Sequence, residues 1–60
     1  MYVLLTKQNN YFVEYLLGSL ILSDSLEKAM KFDDFETANK FKMMLYQNCK
    51  LITSINTYIN

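Results

Sequence analysis

Between Asp33 and Ile59 the chain runs for 27 residues without a glycine or a proline, and in a protein of only 60 residues that run limits what fold the rest can build. Phe41, Met44, Leu45, Asn48, Leu51, Ile52, Ile55, Tyr58 and Ile59 recur within it at steps of three and four, while Lys42, Gln47, Lys50, Thr53, Ser54 and Thr57 take the other side. The spacing predicts one amphipathic helix, unbroken from residue 34 to 59, about 39 Å long at 1.5 Å per residue. Asp33 and Glu36, three apart, mark its start as N-cap and N3 residues, and Asp34 adds negative charge where the helix dipole favours it. A second reading ends the helix near Asn48 and continues as a strand, because Leu51, Thr53, Ile55, Thr57 and Ile59 also alternate and are apolar or β-branched.

A chain of this size forms a single domain, residues 1–60, and buries only about 60% of the surface its unfolded form exposes. The one cysteine, Cys49, can close no intrachain disulfide, and without histidine there is no plausible zinc ligand set. Yet 52% of the residues are apolar, including nine Phe or Tyr and four Met. That is more apolar surface than a monomer of this size can hide, so self-association or a partner protein is expected. The formal charge is zero, which excludes nucleic-acid binding by bulk electrostatics. The first seven residues lack the features of a secretory signal, and the apolar runs fall far below the length of a membrane span, with Glu14 breaking the longest. A cytoplasmic protein is expected.

For the N-terminal half two structures compete. In one, Tyr2–Thr6 and Tyr11–Tyr15 are strands joined through Asn9-Asn10, a pair able to take positive φ. In the other, Asn9 or Asn10 caps a helix running from about Tyr11 toward Lys31, with Phe12, Tyr15, Leu16, Leu20, Leu22, Leu26, Ala29 and Met30 inward and Gly18 either at a close helix contact or in a turn. Asp24 and Glu27 repeat the cap spacing. With Phe32 and Asp33 as a tight connection, the favoured architecture is all-α: an antiparallel helical hairpin with a long C-terminal helix, assembling as a homodimeric bundle. The alternative is α+β, with an N-terminal β-hairpin, one helix and a C-terminal strand.

Leu26-Glu27-Lys28-Ala29-Met30, Asp33-Asp34-Phe35-Glu36-Thr37-Ala38, Phe41 and Leu45 together resemble the UVR motif, a short helical hairpin of nucleotide-excision-repair proteins and bacterial protease regulators. The resemblance covers about 20 residues and implies paired arms that dock another copy or another protein.

No constellation for chemistry emerges. Capping accounts for Asp33 and Glu36, Cys49 and the serines at 19, 23, 25 and 54 have no base beside them, and no cofactor or metal site is expected. The interface candidates, toward itself or a partner, are Phe12, Leu16, Leu20, Phe41, Met43, Met44, Tyr46, Leu51, Ile52, Ile55 and Tyr58, with Met43 and Tyr46 off the main stripe and therefore best placed for a partner. Asn48, amid the apolar face, is a candidate for fixing pairing register. The expected function is that of a small non-enzymatic, homodimeric protein that occupies a surface on a host protein, similar in type to bacteriophage proteins that inhibit bacterial defences. The UVR resemblance implies an alternative, an adaptor in bacterial DNA repair or regulated proteolysis.

Overall fold

The computed structural model describes residues 1–59. It contains four strands, β1 (Tyr2–Thr6), β2 (Tyr11–Leu16), β3 (Ser19–Ser23) and β4 (Thr53–Thr57), one helix, α1 (Phe35–Cys49), and a single 3-10 turn at Leu26–Lys28. The strands form one antiparallel sheet in the order β3-β2-β1-β4, with the helix packed on one face.

This is the α+β alternative, and it overturns the all-α helical hairpin. The UVR resemblance falls with it. Leu26 to Lys28 make one 3-10 turn instead of a helical arm, and the chain then runs extended until Phe32 bridges Tyr2. Among the described residues α1 is the one α-helix, so the two-armed hairpin from which a homodimeric helical bundle was expected does not form.

Each connection follows from local chemistry. β1 turns into β2 through Lys7, Gln8 and Asn9: the Asn9 N–H donates to the Thr6 carbonyl (3.1 Å) and the Thr6 N–H to the Asn10 carbonyl (2.8 Å). Asn9 takes φ 66°, which asparagine tolerates better than most residues. The Thr6 hydroxyl accepts from the Gln8 and Asn10 amides and donates to the Asn10 side chain. β2 turns into β3 through Leu17 (φ 51°) and Gly18 (φ 78°), a two-residue turn with both φ positive, whose twist matches that of paired strands.

The register shifts between Phe12 and Glu14, a β-bulge at Val13. The bulge bends β2 away from β1, which keep only Leu5 opposite Tyr11. The returning chain fills the opening. Met30 donates to the Phe12 carbonyl (3.0 Å), and Tyr2 and Phe32 exchange backbone bonds, so segment 29–32 supplies the pairing the splayed strands have lost. Lys31 Nζ donates back to the carbonyls of Leu26 (2.9 Å) and Glu27 (2.6 Å), capping the 3-10 turn, and lies 5.0 Å from the Tyr58 ring centroid.

The helix starts one residue later than Asp33 and Glu36 suggest. Asp34 is the N-cap, its carboxylate accepting from the Thr37 amide at 2.7 Å, and Glu36 sits exposed in the first turn. The hydrogen bond from the Thr37 amide holds the Asp34 carboxyl below its ordinary pKa. The helix ends at Cys49 instead of continuing to 59. Lys50 takes a left-handed conformation (φ 58°) and its N–H reaches the Tyr46 carbonyl, the single bond of an αL stop, while the Leu51 N–H reaches back to the Leu45 carbonyl. β4 then pairs along the whole of β1, from Tyr2 opposite Thr57 to Thr6 opposite Thr53.

Leu4, Phe12, Phe32, Ala38 and Leu45 form the core between sheet and helix. Phe41 sits among them, its ring centroid 4.9 Å from Phe32 and 6.1 Å from Phe12. By strand alternation Val3 points to the reverse face, and it too is buried.

Candidate functional site

The expected interface residues divide into two groups. Phe12 is fully buried, and Leu20, Phe41, Met44, Leu51 and Ile55 pack half-buried against the core, so all six contribute to packing within the chain. Leu16, Met43, Tyr46 and Ile52 are exposed, and Tyr58 is half-buried beneath Lys31. Asn48 is exposed and does not join the core. Met43 and Tyr46 share an outer flank of α1 with Phe35, whose ring meets Tyr2 edge-on at 5.9 Å, and with Lys50, which lies 5.4 Å from the Tyr46 ring centroid.

The most exposed apolar position is Leu17, at 105% of its reference area, beside Leu16 at 61%. Both stand at the tip of the β2–β3 hairpin. Leu17 occupies the first central position of the turn, where φ is positive and asparagine or glycine is the ordinary choice. A leucine in that conformation costs roughly 1–2 kcal/mol. Its side chain then forgoes the ~1.5–3 kcal/mol that burial returns. Neither term is recovered inside the chain. Gly18 beside it has no heavy atom within 4 Å of where a Cβ would stand, so backbone conformation rather than crowding demands glycine there. Ile21, 43% exposed at the middle of β3, adds a further apolar side chain on the same hairpin.

Leu17 and Ile21 were not among the expected interface residues. The signal for Leu17 was its position before the chain's only glycine, which the turn reading of Gly18 already contained.

Chemistry elsewhere is sparse. A hollow of about 170 Å³ opens at the end of the β1–β4 ladder, lined by Leu5, Thr6, Lys7, Ile52, Thr53 and Ser54. It lies below the ~300 Å³ at which small-molecule sites usually begin, and its one ionisable residue is Lys7. The Thr53 hydroxyl is buried and has no hydrogen-bond partner among the described residues. Cys49 is a half-buried free thiol, and its presence beside Tyr15 pushes the tyrosine pKa up. Among the described residues no three His, Cys, Asp or Glu side chains are grouped to hold a metal ion, and no helix is long and apolar enough to cross a membrane.

Comparison with protein-family models, with curated proteins and with solved structures found no match to this chain. The hairpin tip therefore has to be interpreted from its own physics.

Proposed function

We propose that this chain is a non-enzymatic protein-binding protein, and that the tip of its β2–β3 hairpin, Leu16 and Leu17, enters an apolar pocket on another protein. The observation that carries the reading is Leu17: a fully exposed leucine held at positive φ. Strain of that kind persists where the surrounding structure enforces it and is concentrated at functional positions. Insertion into a pocket would recover the burial that folding leaves unclaimed, and a short rigid turn loses little entropy in binding. The net charge of zero fits an apolar contact better than an electrostatic one. Within this reading the partner is a host protein whose surface is occupied, in the manner of bacteriophage proteins that disable bacterial defences.

Capture from bacterial lysate on the immobilised chain, beside a Leu17→Asn variant, tests both levels. Asparagine suits the turn and keeps the fold, so a protein held by the natural chain and lost by the variant supports tip binding, and its identity shows whether it belongs to a defence system. A protein retained equally by both chains would remove the tip from consideration.

A further inference from the structure

We infer that β3 pairs with the β3 of a second copy, antiparallel and about a two-fold axis at Ile21, joining two sheets into one of eight strands. β3 is a terminal strand of the sheet, so one of its edges has no neighbouring strand among the described residues. Exposed edges are normally guarded by charged residues, proline or a bulge, because their free N–H and C=O groups accept another strand. The five residues of β3, Ser19-Leu20-Ile21-Leu22-Ser23, include no charge and no proline, and the bulge of this hairpin lies on β2.

The sequence of β3 reads the same in both directions. Antiparallel pairing centred on Ile21 therefore sets Ser19 opposite the second copy's Ser23, Leu20 opposite its Leu22, and Ile21 opposite Ile21. The hydrogen-bond phase agrees. Leu16 and Ser19 close a two-residue turn, which makes them a hydrogen-bonded pair, so Tyr15 and Leu20 form a non-bonded pair and Glu14 and Ile21 a bonded one. Leu22 follows as outward-facing, consistent with the Phe12 carbonyl opposite it, which accepts from Met30 instead. The free backbone groups are those of Leu20 and Leu22, the residues that this register places opposite each other. Ile21 meets its copy as a non-bonded pair, the kind that brings side chains closest.

The side chains agree as well. Leu20 and Leu22 lie half-buried at the rim of the core, and pairing extends that core across the junction on the helix side. On the reverse face the two Ile21 side chains, each 43% exposed in the single chain, cover one another. The sheet's other terminal strand, β4, presents Ser54 and Asn56 on that face and offers less apolar surface. Five-residue pairing is small for a protein interface, so the dimer is a dissociable one. The inference stands apart from the proposed tip contact, because pairing through β3 leaves both tips free at opposite ends of the new ladder.

Sedimentation of the full chain over a concentration series tests it, with Ile21→Lys as the variant and circular dichroism as the check on folding. The natural chain should reach twice its 7.1 kDa mass at high concentration and dissociate on dilution. Ile21→Lys should weaken association roughly tenfold or more, since it sets like charges directly opposite each other in place of an apolar contact. A second variant does not depend on tolerance of lysine: in a Cys49→Ser background, Ile21→Cys should oxidise to a linked dimer, because closely opposed strand residues meet the distance a disulfide needs. A 7.1 kDa mass at every concentration overturns the inference. So does an Ile21→Lys chain that associates like the natural one, or an Ile21→Cys chain that links no faster than a Lys7→Cys control at the distant turn.

Discussion

Tyr2 and Phe32 each donate a backbone N–H to the other's carbonyl, both at 2.9 Å. This isolated bridge, whose Phe32 belongs to no strand, completes β1 on the side that β2 leaves, and it aims the Phe32 ring into the core beside Phe41. Phe32 therefore links the sheet, the extended segment 29–32 and the helix.

Truncating that side chain should be close to the limit of what the fold tolerates. Phe32→Ala removes a ring that is 4% exposed and should destabilise by roughly 3–5 kcal/mol. At ~0.05–0.15 kcal/mol per residue, a chain of this size holds only about 3–9 kcal/mol in all. Urea unfolding should show the variant largely unfolded or barely folded in buffer, while Phe35→Ala, at a 55% exposed position, should lose about 1 kcal/mol or less. Equal losses at the two positions would mean that Phe32 does not hold the bridge and core together.

At the hairpin tip, stability and function should move in opposite directions. Leu17→Asn removes no buried surface and relieves the left-handed strain, so it should add about 1 kcal/mol, or ~4–8 °C in a thermal melt. Gly18→Ala should subtract about 1 kcal/mol by conformation alone. A Leu17→Asn chain that melts earlier than the natural one would show that the leucine contributes to the fold.

The helix stop offers a similar gain. Lys50→Gly relieves about 1 kcal/mol of left-handed strain but gives up the lysine's contact with the Tyr46 ring, worth ~0.5 kcal/mol at an exposed site. The melting temperature should rise by about 2–4 °C. Lys50→Val, β-branched and poorly suited to positive φ, should lower it.

Acid should weaken the N-cap. The hydrogen bond from the Thr37 amide lowers the Asp34 pKa in the folded chain, so its contribution is present above the unfolded carboxyl pKa of ~3.9 and is lost as pH falls through the lower folded value. Asp34→Asn keeps a capping oxygen but does not titrate. Melting curves taken below about pH 4 should therefore fall less steeply for the variant than for the natural chain.

The helix start was legible in the sequence to within one residue, because carboxylates before an apolar repeat have few other uses. Its end was hidden, since the left-handed stop usually announced by glycine is filled by Lys50. Beyond it, Leu51, Ile55 and Ile59 satisfy both helical and strand periods, and only pairing with β1 decides between them. In β2 and β3 the obstacle was the bulge at Val13. It places Phe12 and Tyr15 on the same face at a spacing of three, which imitates a helix turn, and the apolar residues on both sides of the hairpin erase the alternation that would betray strands. Of the surface, Met43 and Tyr46 were recognisable because they lie off the helical stripe, whereas Leu16 and Ile52 fell on apolar faces read as inward. Leu17 was not recognisable, because leucine is rare at that turn position and nothing in its identity announces exposure.

The pairing of Leu4 with Ile55 joins positions 51 residues apart, and the Met1 carbonyl accepts from the Tyr58 amide at 2.7 Å. On the ribosome, β1 is therefore made well before its partner β4 and must wait for it. Until residues 53–57 emerge from the exit tunnel, the nascent chain holds its central strand open to any passing strand, so slow synthesis between β1 and β4 would lengthen the interval in which a chaperone, or another nascent copy, can intervene.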